Sequence, residues 1–453
     1  MIHVPENEKN MQEAGAGTAL VIHPELTDFN GTTAEDKLEE AIGLAEAISL
    51  TVVEGLCFQV KRPVAGYLIS KGHRQDIGHL IHDFKPDVVI VNHSLTPVQQ
   101  RNLEKDWNAK VIDRTGLILE IFGRRAQTKE GKIQVELAAL EYQRSRLVKS
   151  WTHLERQRGG LGKTGGPGET QIEIDRRLIS ERIIRLKKEM QGIRKNRELQ
   201  RRSREQAPFP LVALVGYTNA GKSTLFNFLT GAAVFAEDLL FATLDTTMRK
   251  RKMDNGQDII LSDTVGFIAD LPTHLIAAFR ATLEQLQYAD VILHVRDITR
   301  EDHMKQKENV IEILKDLGIS YDQDGRIIEA WNKIDLLPPE ERELMRSKVN
   351  FMENVVPLSA ITGEGTDDLL SLIEHRLTLS NRFVSFKIPV SEGKAMAWLY
   401  QNAHVLETIE DDGFMVLSVD ITQENFGRFT ERFPYKPMEQ KDNNKRQIHD
   451  SKY

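Results

Sequence analysis

The chain has 453 residues, enough for about three domains of ordinary size. Hydrophobic residues make up 40% and charged residues 28%, the balance of a soluble globular protein, and no apolar run approaches the ~18 residues of a membrane span. The single cysteine, Cys57, excludes an internal disulfide framework and favours a cytoplasmic setting. The net charge of −7 by itself argues against a nucleic-acid-binding protein, and we expect no DNA partner.

Strand-like and helix-like patterns alternate over residues 1–125 and predict a small N-terminal α/β domain with a mostly parallel sheet. The predicted strands are 19–22, 51–53, 66–69, 88–91 and 110–112, and the predicted helices are 34–49, 75–84 and 96–106. Asn92, His93 and Ser94 follow one strand, and Asp113, Arg114 and Thr115 follow another, where such sheets often bind ligands. We assign no chemistry to these residues and expect a scaffold or docking role.

Two long helices with a heptad-like spacing are predicted over residues 126–206, and they can pair as an antiparallel hairpin. The residues at the heptad positions where the two helices would meet are apolar except for Arg144. They are Ile133, Leu137, Leu140, Arg144, Leu147, Trp151 and Leu154 in the first helix, and Ile179, Ile183, Leu186, Met190 and Ile193 in the second. Residues 158–169 form a Gly-rich loop between them that we expect to be non-helical. Its Gly162-Lys163-Thr164 imitates a phosphate loop, but Gln157 stands where the first glycine is needed, so we reject it as a nucleotide site.

Charge is concentrated in this hairpin. Residues 126–206 contain 20 Lys and Arg against 11 Asp and Glu, a net charge of +9, which leaves −16 for the rest of the chain. Such separation is typical of a polyanion-binding arm, although a solvated helical face is the plainer alternative. We favour contact with structured RNA through phosphates and shape, since no base-stacking aromatic platform is visible.

A G-x-x-x-x-G-K-[ST] phosphate loop follows the apolar run at 211–215, in the region 207–380 that we assign to a Ras-like GTPase domain. Backbone N–H groups of such a loop and the helix N-terminus after it bind phosphates, its lysine reaches the β- and γ-phosphates, and its serine holds Mg²⁺. The predicted phosphate-binding residues are Gly216, Tyr217, Thr218, Asn219, Ala220, Gly221, Lys222 and Ser223.

Three further motifs appear in the order that a GTP-binding domain needs. Asp263 can lie near Mg²⁺ while the Gly266 N–H meets the γ-phosphate, and one carboxylate, Asp335, can accept both N1–H and N2–H₂ of guanine. Backbone N–H groups after residue 358 would close the base pocket. The residues of these motifs are Asp263, Thr264, Val265 and Gly266; Asn332, Lys333, Ile334 and Asp335; and Ser359, Ala360 and Ile361. Together they predict a GTPase, with Lys222 and Gly266 acting on the phosphates.

Residues 366–379 are predicted to form the closing helix of that domain. Residues 381–453 are predicted to form a small α+β module with a strand at 383–390, a helix at 393–406, a hairpin at 408–417 around Asp412-Gly413, and a polar tail from Lys436.

Five stretches from three regions of the chain resemble the HflX family of Obg-HflX-like P-loop GTPases. They are residues 95–104, 165–169, 241–247, 263–268 and 279–284, and the resemblance runs from about Ala19 to about Leu379. It implies a bacterial GTPase that binds the large ribosomal subunit and its rRNA, reaches toward the peptidyl transferase region with its hairpin, and helps to split stalled ribosomes. We expect the protein itself to be a monomer. Ribosome assembly, or service to an RNA-modifying partner, is the alternative function.

The resemblance also implies a switch segment that closes over the nucleotide, made of Phe241, Ala242, Thr243, Leu244 and Asp245. In it, Thr243 would bind Mg²⁺ beside Ser223 and take part in hydrolysis, whereas the spacing alone leaves Thr246 and Thr247 as competitors. Phe267 stands after the D-x-x-G motif, where a Gln orients the attacking water in some GTPases. A phenyl ring cannot do so, and we expect slow hydrolysis in isolation unless Phe267 is simply a packing residue.

Overall fold

The structure is a computed structural model that describes residues 17–26, 33–157, 167–204, 209–231, 240–241, 243–244, 246–269, 283–349, 351–379 and 381–438. Three sheets organise these residues: two mostly parallel α/β sheets joined by a long helical hairpin, and a small antiparallel sheet at the C-terminal end. This agrees with the predicted multidomain α/β fold. None of the helices in the described ranges combines the length and apolar character needed to cross a membrane.

The first sheet contains four parallel strands in the order β2-β1-β3-β4. Its elements are β1 (Thr18–Leu26), α1 (Ala34–Glu46), β2 (Thr51–Val60), α2 (Lys71–Phe84), β3 (Val88–Val91), α3 (Pro97–Trp107), β4 (Val111–Asp113) and α4 (Arg114–Arg125). Thr33 and Thr96 start α1 and α3 with capping boxes, and Asp113 caps α4 by accepting from Gly116 N.

Two expectations for this domain differ from the structure. The strand predicted at 66–69 is a turn, because Leu68 has a left-handed φ of 67° that no extended strand accommodates. Its apolar residues are buried without belonging to the sheet; only an isolated bridge joins Val64 to Leu68. Helix α4 was not predicted, although its apolar face is buried against the sheet.

The predicted hairpin is present as α5 (Lys129–Gln157) and α6 (Pro167–Arg204). Ile133 and Leu137 of α5 pack against Ile183, Leu186 and Met190 of α6 in one apolar seam. Most of the predicted Gly-rich loop, residues 158–166, lies outside the described residues, but Pro167, Gly168 and Glu169 belong to α6. A proline suits the first helical turn because its missing N–H would have no partner there, which is why that part of the loop prediction is wrong.

The second sheet has the order β10-β9-β8-β5-β7-β6, and only β6 is antiparallel to its neighbour. Its elements are β5 (Leu211–Val215), α7 (Lys222–Thr230), β6 (Thr247–Lys252), β7 (Asp258–Asp263), β8 (Val291–Asp297), α8 (His303–Asp316), β9 (Ile327–Asn332), α9 (Pro339–Val349), β10 (Val355–Pro357) and α10 (Thr366–Leu379), with short 3₁₀ turns at Glu284–Tyr288 and Ile334–Leu336. Apolar clusters fill both faces of this sheet, and the polar ends of its strands meet at one edge.

The third sheet has the order β12-β13-β11-β14 and carries two helices. Its elements are β11 (Asn381–Pro389), α11 (Gly393–Asn402), β12 (His404–Asp411), β13 (Phe414–Thr422), α12 (Gln423–Arg432) and β14 (Pro437–Met438). The predicted hairpin is confirmed: Asp412 and Gly413 have φ values of 47° and 81°, as a type I′ turn requires. The helix predicted to run to 406 ends at Asn402, because the following residues pair with β13 instead.

One apolar cluster joins the first and second sheets. It combines Leu117, Ile121 and Phe122 of α4 with Phe241 and Leu244 of the predicted switch segment, and it also contains Tyr217, Val265 and Ile268. The rings of Phe122 and Phe241 meet edge to face with centroids 4.8 Å apart. The N-terminal domain therefore packs directly on the segments predicted to respond to the nucleotide.

Candidate nucleotide site

The loop between β5 and α7 has the backbone that the phosphate-loop prediction requires. Gly216 (φ 149°) and Gly221 (φ 89°) both adopt conformations that side chains disfavour. A Cβ on Gly216 would lie 2.1 Å from Val295 O, and one on Gly221 would lie 2.1 Å from Asn332 Nδ2. These two positions accept only glycine without a shift of the surrounding strands.

Lys222 begins α7 and turns its side chain back over the loop. The side chain is buried, and Nζ donates to the Tyr217 carbonyl at 2.6 Å. Burial lowers the pKa of Lys222 to about 8, and the charge of Asp263 opposes that fall. Lys222 is therefore a cation at neutral pH, enclosed by loop backbone and the Asp263 carboxylate.

Three side-chain oxygens converge beside this lysine. Ser223 Oγ and Thr243 Oγ1 lie 2.7 Å and 2.8 Å from Asp263 Oδ2, and 2.8 Å from each other. Burial raises the pKa of Asp263, whereas the hydrogen bond from Ser223 and the charge of Lys222 lower it. Asp263 Oδ1 is buried and receives no well-aligned hydrogen bond from the described residues. Hydroxyl and carboxylate oxygens with spare coordinating capacity suit Mg²⁺, so these residues fit that ion.

The competitors of Thr243 occupy other places. Thr246 Oγ1 is buried without a hydrogen bond to any described residue, and Thr247 already belongs to strand β6. Leu244 is buried beside the first sheet, while Ala242 and Asp245 lie outside the described residues. Thr247 lies opposite Asp263 in the β6–β7 pairing, but among the three threonines the structure brings only the hydroxyl of Thr243 within hydrogen-bond distance of both Ser223 and Asp263.

The D-x-x-G segment lies on the phosphate loop. Phe267 N donates to Gly216 O at 3.1 Å, and Phe267 O accepts from Thr218 N at 2.7 Å. A Cβ on Gly266 would be 2.9 Å from Thr218 Cγ2 and 3.1 Å from Lys222 Nζ. Thr264 is also buried and donates to Leu214 O at 2.6 Å. The segment is thus held against the loop by its own backbone.

Phe267 is a packing residue. Its ring is 2% exposed and belongs to the apolar cluster on one face of the second sheet, with Val215, Leu283 and Leu286. The side chain therefore faces the core, which accounts for an aromatic residue where some GTPases carry a glutamine.

The predicted base motif follows β9. Asn332 is buried, donates to Ala220 O at 2.8 Å and accepts from Ala360 N at 2.9 Å, so it ties the phosphate loop to the segment after β10. Lys333 has a left-handed φ of 69°, and its Nζ lies 2.8 Å from Asp297 Oδ2. Asp335 is half-buried in the 3₁₀ turn that begins at Ile334.

The segment Ser359-Ala360-Ile361 differs from the expectation in one respect. The N–H groups of Ser359 and Ala360 are used within the protein, by Glu364 O at 2.9 Å and by Asn332 Oδ1. Ile361 is exposed. Through the hydrogen bond from Ala360 N to Asn332, the segment holds the base motif in position.

Sequence reasoning missed some residues around the site. Asp297, the last residue of β8, fixes Lys333; its position at the end of an apolar strand run was the available signal. Glu40 and Arg114 reach the site from the N-terminal domain. Arg114 was expected only as a residue at the end of a strand, and no local pattern marks its contact with a segment so far along the chain. A cleft of about 1010 Å³ separates the two domains here, with Lys37 and Asn92 on one wall and Asn219 and Lys333 on the other. Within the described ranges, no cluster of His, Cys, Asp and Glu could hold a metal by itself.

Family models match four consecutive parts of the chain. Residues 35–123 match the "GTP-binding GTPase N-terminal" model, 125–204 the "GTP-binding GTPase Middle Region", 211–333 the "50S ribosome-binding GTPase" and 344–444 the "HflX C-terminal domain".

Curated relatives are similar over nearly their whole length. GTPase HflX of Magnetococcus marinus is 48% identical over 86% of this chain and 89% of the relative. GTPase HflX of Escherichia coli (strain K12) is 40% identical over 92% and 96%, and that of Caldanaerobacter subterraneus is 42% identical over 86% and 88%. With a phosphate loop, a hydroxyl–carboxylate cluster and a base motif assembled at one sheet edge, this chain belongs to the HflX family of GTP-hydrolysing enzymes.

Proposed function

We propose that this GTPase binds the large ribosomal subunit and uses GTP-dependent switching to split or rescue stalled ribosomes. The observation that carries the proposal is the hairpin region: residues 126–206 have a net charge of +9, and Val135 and Ala138 of α5 pack in the same apolar cluster as the N-terminal domain and the switch segment. The description of the family model over 211–333 also supports a ribosomal partner.

The exposed cations in the described part of α6 include Arg182, Arg185, Lys187 and Lys188. Arg182 and Lys187 pair across the seam with Glu136 at 2.7 Å and Glu141 at 2.8 Å. Arg185 and Lys188 are exposed, and neither has an ion-pair partner among the described residues. Arg185 and Lys188 can therefore meet phosphates without loss of an internal contact.

In the proposed reaction, Lys222 and the loop N–H groups bind the β- and γ-phosphates, and the Gly266 N–H meets the γ-phosphate. Ser223 and Thr243 would hold Mg²⁺ beside Asp263. The ion would neutralise the charge that develops on the phosphate oxygens. Thr243 leaves this cluster when the γ-phosphate is lost, which releases Phe241 and Leu244 from the N-terminal domain.

Hydrolysis is slow in isolation in this proposal, because Phe267 faces the core and cannot orient water. The test is a titration of purified large subunits against GTP turnover, with Lys222→Ala as the inactive control. Turnover should rise well above that of the free protein, and a flat titration would contradict a ribosomal partner.

A role in ribosome assembly requires the same GTP site and the same hairpin, and service to an RNA-modifying partner is a further alternative. The one cysteine, Cys57, is exposed and far along the chain from the site, which gives no support to intrinsic modification chemistry. Sucrose gradients separate splitting from assembly: purified intact ribosomes are incubated with the protein and a non-hydrolysable GTP analogue. Conversion to subunits supports splitting, and intact ribosomes would favour assembly.

A further inference from the structure

Two consecutive residues at the junction of β4 and α4 point to different parts of the molecule. Arg114 reaches the segment after the D-x-x-G motif, and Asp113 reaches helix α5 of the hairpin. Both are buried, with Asp113 1% and Arg114 7% exposed. Buried charges are costly unless paired, so their partners are bound firmly.

A closed ring of hydrogen bonds, one of them an ion pair, joins Arg114, Glu40, Tyr217 and Ala269. Arg114 Nη2 donates to Ala269 O at 2.9 Å and lies 2.6 Å from Glu40 Oε1. Glu40 Oε2 in turn accepts from the Tyr217 hydroxyl at 2.6 Å, and that hydroxyl accepts from Ala269 N at 2.8 Å. Both backbone polar groups of Ala269 are thus held, one by the phosphate loop and one by the N-terminal domain.

Tyr217 makes this ring sensitive to the nucleotide site. It is the second residue of the phosphate loop, and its backbone neighbours Gly216 and Thr218 hydrogen-bond to Phe267. A shift of the Gly266 segment therefore changes the position of Ala269 relative to Tyr217 and Arg114. A hydroxyl that donates and accepts at once is needed here, because it bridges a carboxylate and a backbone N–H.

The Asp113 side reaches the hairpin. Asp113 Oδ1 accepts from the Tyr142 hydroxyl at 2.6 Å and from Gly116 N at 2.9 Å; Oδ2 accepts from Leu95 N at 3.1 Å and lies 3.4 Å from Arg146 Nη1. The Tyr142 hydroxyl also accepts a short hydrogen bond from Arg146. Burial first, and then the Asp113 charge, raise the pKa of Tyr142, so its hydroxyl remains a donor.

We infer that Asp113 and Arg114 are positioning residues that transmit the nucleotide state from Tyr217 and Ala269 to Tyr142 at the base of the hairpin. The inference rests on the proposed GTP-dependent switching and gives the N-terminal domain its part in it. Because the two residues are adjacent at the start of one helix, a shift on the Arg114 side moves the Asp113 side with it. Transmission from the nucleotide site to the hairpin must be shown by measuring the coupling between them. Removal of the hydroxyl of Tyr217 or of Tyr142 can supply that measurement.

The experiment measures hydrogen exchange over residues 140–147 of the full chain without ribosomes, with GDP and with a non-hydrolysable GTP analogue. In the wild type, protection should differ between the two nucleotides about fivefold or more, the lower end of ordinary coupling. Tyr142→Phe should remove most of that difference, while nucleotide-dependent protection of residues 222–230 persists. Tyr217→Phe should also remove most of the difference at residues 140–147.

Tyr321→Phe is the matched control, since Tyr321 OH lies 2.6 Å from His294 Nδ1 in a buried network away from the route. It should leave the difference at 140–147 intact. The inference is overturned if the wild type shows no difference there, or if either route variant keeps it. A variant that does not fold is recognised by its melting curve, and the other then decides. Ribosome-stimulated turnover is measured separately, so failure of the route and failure of the proposed function give different results.

Discussion

The amide nitrogen of Asn332 donates to the carbonyl of Ala220 at 2.8 Å, which joins the base motif to the phosphate loop at Gly221. A Cβ on Gly221 would lie 2.1 Å from that nitrogen. Gly221→Ala should therefore displace Asn332 and reduce the affinity for both GTP and GDP by more than about tenfold, since one lost buried hydrogen bond costs roughly 1–3 kcal/mol. Calorimetry measures this effect directly.

Gly231→Ala is the control for backbone strain alone. Gly231 has a similar left-handed φ of 63°, but nothing lies within 4 Å of its Cβ position. That variant should lose about 1 kcal/mol of stability and keep its nucleotide affinity. Equal affinities for the two alanine variants would contradict the role assigned to the Asn332 contact.

Asp335 should determine the choice of base. In Asp335→Asn, the amide replaces one acceptor oxygen with a donor, so guanine N2–H₂ and N1–H can no longer both be accepted. The affinity for GTP should fall by roughly 10–100-fold, as expected for a hydrogen bond to a charged group. Xanthosine triphosphate, which presents a carbonyl in place of the amino group, should bind the variant better than GTP does. Wild-type protein that binds ATP as well as GTP, or a variant indifferent to the base, would refute the assignment.

The affinity for nucleotide should depend on pH through Lys222. Phosphates bind the protonated lysine, and its pKa in the free protein is lowered to about 8. Affinity for GDP should be nearly constant up to about pH 7 and fall by roughly fivefold between pH 8 and 9, because binding must then take up a proton. Calorimetry in buffers of different ionisation enthalpy reports that proton. Lys222→Arg, whose guanidinium stays charged, should lose the pH dependence; the same slope in both proteins would assign it to another group.

The nucleotide-binding motifs could be predicted from the sequence because each is a short run of neighbouring residues. In such a run the loop backbone itself binds the ligand, so no distant partner has to be identified. Gly216, Gly221 and Lys222 lie within seven consecutive residues, and the apolar strand before them marks their context. The hairpin seam was readable for the same reason, since heptad spacing is local.

Contacts between distant segments were not readable. Arg114 and Ala269 are separated by 155 residues, and neither belongs to a periodic pattern that identifies its partner. At Leu68 a local pattern was present but misleading. The apolar residues around it favoured a strand, whereas its left-handed φ places it in a turn. A run of apolar residues indicates mainly that the segment is buried. It does not determine whether the backbone of that segment is extended.

Thr243 should be distinguishable from its neighbours by its response to the γ-phosphate. Thr243→Ala removes a hydroxyl that lies 2.8 Å from both Ser223 Oγ and Asp263 Oδ2. We expect hydrolysis to fall by roughly 10-fold or more, and the Mg²⁺-dependent preference for GTP analogue over GDP to be lost. Thr243→Ser should retain both, whereas Thr246→Ala and Thr247→Ala should change neither substantially. A stronger effect at Thr246 or Thr247 would transfer the metal-binding role to that residue.

The basic face of the hairpin can be tested by reversing equal numbers of charges at paired and unpaired positions. Arg185→Glu with Lys188→Glu should weaken ribosome binding in a pelleting assay and make it less dependent on salt. The melting temperature should fall only slightly, because the new carboxylate at position 185 would lie one helical turn from Glu181 and Glu189. Arg182→Glu with Lys187→Glu changes the net charge by the same amount but also places like charges opposite Glu136 and Glu141. Adding Glu136→Arg and Glu141→Lys to that variant should restore the pairs, the net charge and the melting temperature, by up to about 1 kcal/mol for each exposed pair. Normal pelleting of the Arg185 and Lys188 variant would show that this face of α6 does not contact ribosomal RNA.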